Sequence, residues 1–119
     1  MITLLRHCFL GAGNPVEFRV DYVDDDGVAA ALDLSAVSRV VVVVKGANAG
    51  ADVEVDSDTA PAKLEWGADG YVRAYLGGET MQAGEYQTTV RLYDTSHVTG
   101  QFVAHPQYNN SILLRVIDP

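Results

Sequence analysis

Hydrophobic and polar residues alternate along several short stretches of this chain, with the period of two that is typical of half-buried β-strands. The clearest stretch begins at Gly84 and continues to Asp94. One face of this stretch carries Tyr86, Thr88, Val90 and Leu92, and the other carries Glu85, Gln87, Arg91 and Tyr93. The pattern predicts one long strand with a dry face and a wet face.

Shorter alternating runs recur along the rest of the chain, and glycine, proline, asparagine or aspartate separates them. They predict strands at 2–9, 16–22, 37–45, 111–117 and, more briefly, 101–104. A hairpin is expected where 64–66 and 72–76 flank a glycine-rich turn, and a single 3₁₀ turn is expected within 77–82. Because no helical period lasts longer than a turn, the pattern predicts an all-β sandwich or barrel.

Three segments modify the simple alternation. The valine run Val40–Val44 places branched side chains on both faces, which indicates a central strand whose outer face is covered by a loop or by a partner. Leu32 and Leu34 surround a bend and are expected to enter the core together. Valines at 53 and 55 are expected to point inward, while a line of acidic residues on the opposite face would protect an edge strand from foreign pairing.

Composition narrows the possible functions. The chain has 119 residues, the length of one domain over 1–119, and 48% of them are hydrophobic. Its formal net charge of −8 disfavours nucleic-acid partners, and its six arginines are spread one to a strand and expected to be solvated. Cys8 is the only cysteine, so an intrachain disulfide is excluded. The first residues lack the pattern of a signal peptide, and no apolar run is long enough to predict a membrane span.

Candidate chemistry is sparse. Asp94, Ser96 and His97 are the residue types of a hydrolytic triad, but their crowding favours a turn in which Asp94 accepts hydrogen bonds from backbone amides. His97 and His105 lack a third metal ligand. Acidic residues that could attract Ca²⁺ occur at Asp24, Asp25 and Asp26 and at Asp52, Glu54, Asp56 and Asp58, and solvated acidity is the favoured interpretation. We expect no catalytic, metal or cofactor site, and therefore no enzyme.

Two longer motifs give the chain a family likeness. Leu32-Asp33-Leu34-Ser35-Ala36-Val37 precedes the valine strand, and Met81-Gln82-Ala83-Gly84-Glu85-Tyr86 opens the strand that ends in Leu92-Tyr93-Asp94. In this order the motifs resemble small Ig-like domains of tailed-phage and prophage structural proteins, including the N-terminal domain of baseplate upper proteins. The resemblance implies an Ig-like antiparallel β-sandwich of about seven to eight strands.

The same resemblance implies a structural role in a phage tail or baseplate, exerted through contacts with other phage structural proteins or with further copies of the chain. The expected location is the virion, or the bacterial cytoplasm during assembly. Candidate contact surfaces are the valine strand, the last strand over 112–117 and the loop that follows Asp94. Within that loop the candidate interface residues are His97, Phe102, Val103, His105 and Tyr108.

An alternative function is carbohydrate binding or adhesion. Tyr71, Tyr75 and Tyr93 alternate with core positions and are therefore expected to face outward, where aromatic rings could stack on sugars.

Overall fold

The structure is a computed structural model that describes residues 2–23, 26–104 and 110–119. Strands dominate these ranges, and their one helical element is a 3₁₀ turn at Pro61–Lys63. None of the described residues belongs to a helix with the length and hydrophobicity that a membrane crossing requires. The strands are β1 (Ile2–Phe9), β2 (Val16–Arg19), β3 (Asp21–Val23), β4 (Ala29–Ala31), β5 (Arg39–Asn48), β6 (Ala51–Asp56), β7 (Leu64–Trp66), β8 (Tyr71–Ala74), β9 (Gly84–Tyr93), β10 (Gln101–Ala104) and β11 (Asn110–Ile117).

Two sheets of unequal size contain most of these strands. The larger sheet has six strands in the order β1-β11-β9-β5-β6, and β10 joins it by pairing with the second half of β9. The smaller sheet has the order β2-β8-β7, and β3 with β4 forms a separate ribbon. The predicted hairpin is confirmed, because β7 and β8 pair antiparallel with Leu64 beside Ala74 and Trp66 beside Val72.

The inward faces of the sheets meet in one hydrophobic core. Buried side chains of the large sheet include Val40, Val42, Val44, Val90 and Leu114, and the small sheet adds Phe18, Leu64, Val72 and Ala74. Burial of each larger side chain contributes roughly 1.5–3 kcal/mol relative to its exposure. The predicted all-β sandwich is therefore confirmed, and alternating positions of the long strands supply its interior.

The pairing of β1 differs from the expected antiparallel arrangement. β1 runs parallel to β11, from Ile2 beside Asn110 to Phe9 beside Ile117. All other strand pairs within the described ranges are antiparallel. No tight turn connects the first strand to the last, so no hairpin imposes the antiparallel direction on this pair.

The predicted strand 16–22 is divided at Val20 because its partner changes there. β2 pairs with β8, whereas β3 pairs with β4. The Val20 amide donates to the Gly70 carbonyl at 2.7 Å, and the Val20 carbonyl accepts from the Leu32 amide at 2.9 Å. This division and the additional strand β4 help to raise the number of strands in the described part to eleven, above the predicted seven to eight.

The bend before β5 buries one leucine instead of two. Leu34 is 1% exposed as predicted, but Leu32 is 38% exposed, so the expectation for Leu32 is wrong. The Asp33 carboxylate accepts hydrogen bonds from the Ser35 hydroxyl and amide, and these bonds lower the pKa of Asp33. The bend holds Leu34 in the core, while the Leu32 amide donates to the Val20 carbonyl, between β2 and β3.

The connection between β8 and β9 contains a hydrogen-bonded turn at Gly77 and not the expected 3₁₀ element. The 3₁₀ turn instead precedes β7, where Pro61 supplies a fixed φ at its first position. Gly77 packs against the turn that follows β1, and its carbonyl accepts a hydrogen bond from the Gly11 amide at 2.8 Å. An added Cβ at Gly77 would lie 2.1 Å from the Ala12 carbonyl oxygen, so the two turns meet backbone to backbone.

The edge-strand prediction for the acidic segment is confirmed. β6 is the last strand of the large sheet, Val53 and Val55 are buried, and Asp52 and Glu54 are exposed. The acidic side chains therefore lie on the outer face of an edge, where they oppose pairing with another strand.

Candidate interaction surface on the large sheet

A shallow depression lies on the outer face of the large sheet, where β10, β9, β5 and β6 run side by side. The register places Phe102 beside Arg91, Arg91 beside Val41, and Val41 beside Asp56. These residues form one row across four strands. The cavity has a volume of about 210 Å³, and its lining comprises Val41, Val43, Lys45, Glu54, Thr89, Arg91, Tyr93 and Phe102.

The valine run supplies the apolar floor of this depression. Val40, Val42 and Val44 are fully buried in the core, whereas Val41 and Val43 lie on the outer face. Val41 is 6% exposed and Val43 is half-buried. The run is thus apolar on both faces, as predicted, and its outer face is covered only in part by neighbouring side chains.

Arg91 is held against the wall of the depression by its neighbours. Gly100 has φ +86, and a Cβ there would lie 2.6 Å from Cδ of Arg91, so the arginine stem crosses directly over this glycine. The Arg91 guanidinium carbon is 4.4 Å from the centroid of the Phe102 ring and 6.0 Å from that of Tyr93. Cation–π contacts of this kind contribute about 0.5–1 kcal/mol each when exposed, and more when desolvated.

Arg91 differs from the other basic residues in its hydrogen bonding, and all eight lie within the described ranges. Six have a carboxylate within 4.0 Å, in the pairs Arg19–Asp21, Arg39–Asp56, Lys45–Asp52, Lys63–Glu79, Arg73–Asp69 and Arg115–Glu85. Arg6 donates to the backbone carbonyls of Glu17 and Leu5. Arg91 has no carboxylate partner in the described part, and its Nε is buried without a hydrogen bond. The prediction that all six arginines are solvated is therefore wrong for Arg91.

An ion-pair cluster lies next to the depression, because the register places Arg39 beside Tyr93 and Asp56 beside Val41. Arg39 donates from Nε to Oδ1 of Asp56 at 2.9 Å and from Nη2 to Oδ2 at 2.5 Å, and Asp58 lies 3.3 Å from Nε. The hydrogen bonds from Arg39 lower the pKa of Asp56, and the same contact raises the pKa of Arg39. The Arg39 guanidinium also lies 4.6 Å from the Tyr93 ring, so this cation is already committed within the chain.

The predicted interface residues separate into different environments. Phe102 lines the depression, whereas Val103 packs against the hydrophobic core, as alternation along β10 requires. His97 is exposed in the turn after β9. His105 and Tyr108 lie outside the described residues. Phe102 is thus the predicted contact residue that the structure brings to the depression.

The three tyrosines of the alternative function do not share a platform. Tyr71 and Tyr75 belong to the small sheet and its continuation, while Tyr93 lies on the outer face of the large sheet. The Arg73 guanidinium lies 5.3 Å from the Tyr71 ring. Burial and the nearby Glu65 raise the pKa of Tyr75. All three tyrosines are half-buried, so each has less open ring surface than the sequence pattern suggested.

The turn interpretation of Asp94 is confirmed by its hydrogen bonds. Oδ1 of Asp94 accepts from the backbone amides of Ser96 at 2.9 Å and His97 at 2.7 Å, and it lies 2.8 Å from Nδ1 of His97. The contact with the His97 ring is the largest cause of the lowered pKa of Asp94. These bonds organise the reversal between β9 and β10.

The acidic segments form no metal-binding cluster within the described residues. Asp52 binds the Lys45 ammonium and accepts from the Gly46 amide at 2.9 Å, and these hydrogen bonds lower the pKa of Asp52. Asp56 is engaged by Arg39. Asp24 and Asp25 of the first acidic turn lie outside the described residues.

Sequence reasoning missed two features of this surface. Val98, in the turn before β10, is 78% exposed and is more open than any other large hydrophobic side chain described. The loop that contains it is a predicted contact segment, but Val98 is not among the predicted contact residues. Arg91 was missed because its isolation in sequence indicated a solvated side chain. The useful signal was its position on the same strand face as Tyr93, although only the pairing with β5 and β10 shows which residues surround it.

Comparison with known proteins yields no relative. No protein-family model matches the chain, and no curated protein or solved structure matches it significantly.

Proposed function

We propose that this protein is a non-enzymatic structural component of a tailed phage or prophage, with an Ig-like sandwich that acts in the tail or baseplate through protein–protein contacts. The motif order at 32–37 and 81–86 supports the family assignment. The observation that carries the mode of action is the depression on the large sheet, which combines an apolar floor with an arginine that has no carboxylate partner in the described part.

The aromatic residues, the arginine and the outer valines of this surface are residue types that occur in protein contacts. The centres of protein interfaces are enriched in aromatic residues and arginine, and depleted in charge, relative to the remaining surface. Phe102, Tyr93 and Arg91 surround the outer valines of β5. A partner side chain seated there would desolvate Val43 and the guanidinium.

The turn before β10 extends the contact surface. Val98 is 78% exposed within it, and Asp94 fixes the turn through its bonds to the following amides. An exposed valine on a fixed turn loses little conformational entropy when a partner covers it. We include this turn with the depression in the proposed interface. Repeated copies of such a protein in a particle would be arranged with closed symmetry.

The test uses the proteins encoded on either side of the gene. We expect at least one of them to bind the purified chain in calorimetric titration, and the flanking genes to include tail or baseplate components. Val98→Asp should weaken that binding at least tenfold, because a charge would be desolvated at the interface.

Val28→Asp is the matched control, since Val28 is 59% exposed but lies near the β3–β4 ribbon. Both variants must keep the wild-type melting temperature. The proposal fails if the chain remains monomeric in light scattering and binds none of the neighbouring gene products.

A further inference from the structure

We propose that the depression on the large sheet is a carboxylate-binding site, and that Arg91 recognises the carboxylate of an aspartate or glutamate side chain presented by a partner protein. That the side chain comes from a partner protein rests on the proposed function, whereas the prediction of a carboxylate ligand rests on the site alone.

The charge of the site points to this ligand. The chain has sixteen acidic and eight basic residues, yet Arg91 has no carboxylate within 4.0 Å among the residues described. A guanidinium presents planar N–H donors that match the two oxygens of a carboxylate. The buried Nε shows that the Arg91 guanidinium is partly desolvated, and a partly desolvated cation is costly to keep until a carboxylate neutralises its charge.

The geometry restricts how the ligand binds. Because Nε is enclosed beside Gly100 and Phe102, a carboxylate would bind the two terminal nitrogens of Arg91. The methylene groups of the ligand would then pack on Val41 and Val43. A cavity of about 210 Å³ has the volume of roughly seven water molecules, which is room for one short side chain.

Two other carboxylate sources compete with a partner protein for this site. Glu54 also lines the depression, but it makes no ion pair with Arg91 at 4.0 Å or less. A second copy of the chain would bring another net charge of −8 to a surface that already contains acidic residues, so long-range repulsion disfavours it. A different chain with less negative charge is the better source of the carboxylate.

The first experiment titrates the protein with butyrate, a carboxylate with a short apolar tail, and follows the Arg91 Nε–H signal by NMR. Burial of Nε should protect this proton from exchange and keep the signal sharp. We expect a saturable shift in the millimolar range, and no such shift with butylammonium or with chloride at the same ionic strength. Absence of a saturable shift would overturn the proposal.

Variants of two arginines test whether butyrate binds specifically at Arg91 or is attracted by any positive charge on the surface. Arg91→Lys should weaken butyrate binding roughly tenfold, because a single ammonium replaces the planar fork. Arg115→Lys is the control, since Arg115 is exposed and paired with Glu85, and it should bind butyrate like the wild type. Equal losses in both variants would show a non-specific effect and overturn the assignment to Arg91.

Glu54→Gln tests the internal competitor. We expect butyrate to bind severalfold more tightly to this variant, because a repelling carboxylate has been removed. If the substitution instead shifts the Arg91 Nε–H signal in the absence of butyrate as far as saturating butyrate shifts it in the wild type, Glu54 is the natural partner of Arg91 and the proposal is wrong.

Binding of the neighbouring gene products distinguishes the inference from the function on which it rests. Loss of partner binding in Arg91→Lys supports both. A partner that binds wild type and Arg91→Lys equally leaves the proposed function standing and overturns the inference. Butyrate bound at Arg91 with no protein partner supports the carboxylate site but contradicts the proposed function. Self-association that Arg91→Lys abolishes would overturn the assignment of the carboxylate to a different chain.

Discussion

Gly77→Ala is expected to destabilise the protein by several kcal/mol, although it adds a single methyl group. A Cβ at Gly77 would lie 2.1 Å from the Ala12 carbonyl oxygen and 3.0 Å from the Phe9 carbonyl oxygen. Both are backbone atoms, one at the end of β1 and one in the turn that follows it, so no side-chain rotation can relieve the contact. The Gly11 amide is bonded to the Gly77 carbonyl at the same place.

The size of the effect follows from the displacement. The two turns would have to separate by at least about 1.3 Å to give the methyl group an ordinary contact distance of about 3.4 Å or more. Overpacking of this kind costs typically 1–3 kcal/mol, and loss of the Gly11–Gly77 hydrogen bond adds about 1 kcal/mol. The sum is about 2–4 kcal/mol, which lowers the melting temperature of a domain of this size by about 10 °C.

Gly78→Ala is the matched control, because a Cβ at Gly78 has no heavy atom within 4 Å. It should be neutral, or stabilising by about 0.4–1 kcal/mol through the unfolded state. Thermal and urea denaturation followed by circular dichroism measure both variants, with the urea m-value expected to stay constant. Equal transition midpoints for the two variants would refute the argument from the backbone contact.

Three further predictions concern the core and the ion-pair cluster. Thr88→Val should stabilise the protein by about 1 kcal/mol, because the Thr88 hydroxyl is fully buried without a hydrogen-bond partner. Urea denaturation measures this change, and a loss of stability would contradict the prediction. Leu34→Ala should lower the free energy of unfolding by about 2–5 kcal/mol and Leu32→Ala by less than about 1 kcal/mol, since only Leu34 is buried. Similar losses for the two variants would show that both leucines are buried in solution. The pKa of Asp56 is lowered in the folded state by its hydrogen bonds with Arg39. The ionised Asp56 therefore stabilises the folded state above the unfolded pKa of about 3.9, and this stabilisation is lost as pH falls through the lower pKa of the folded state. On acidification from about pH 5 to pH 2, the free energy of unfolding should therefore fall less for Asp56→Asn than for the wild type. If the free energies of unfolding of the two proteins fall in parallel with pH, the Asp56 pKa shift does not contribute to stability.

The parts of the fold that were predicted correctly depend on local information. Alternation along β9 identifies its buried face, and the glycine turn between Trp66 and Val72 identifies the hairpin. In both cases the residues that decide the structure lie within a few positions of each other. Asp94 is similar, because its hydrogen bonds reach only two and three residues along the chain.

The parts that were missed depend on strand partners that are distant in sequence. Alternation continues smoothly through Val20, so it cannot show that the backbone changes partners there. It also says nothing about the direction of β1 against β11. The depression depends on four strands and on Gly100, which gives Arg91 its path. Strand periodicity tells which face a residue occupies, but it does not tell which residues stand beside it.

The parallel pairing of β1 with β11 has a mechanical consequence. A force that pulls Ile2 and Ile117 apart drags the two strands in opposite directions along their shared length. The hydrogen bonds between the strands are then loaded together in shear, whereas the bonds of a hairpin pulled open at its ends break one after another. The terminal strands therefore act as a clamp when tension passes along the chain, and the rate of forced unfolding depends on this pair.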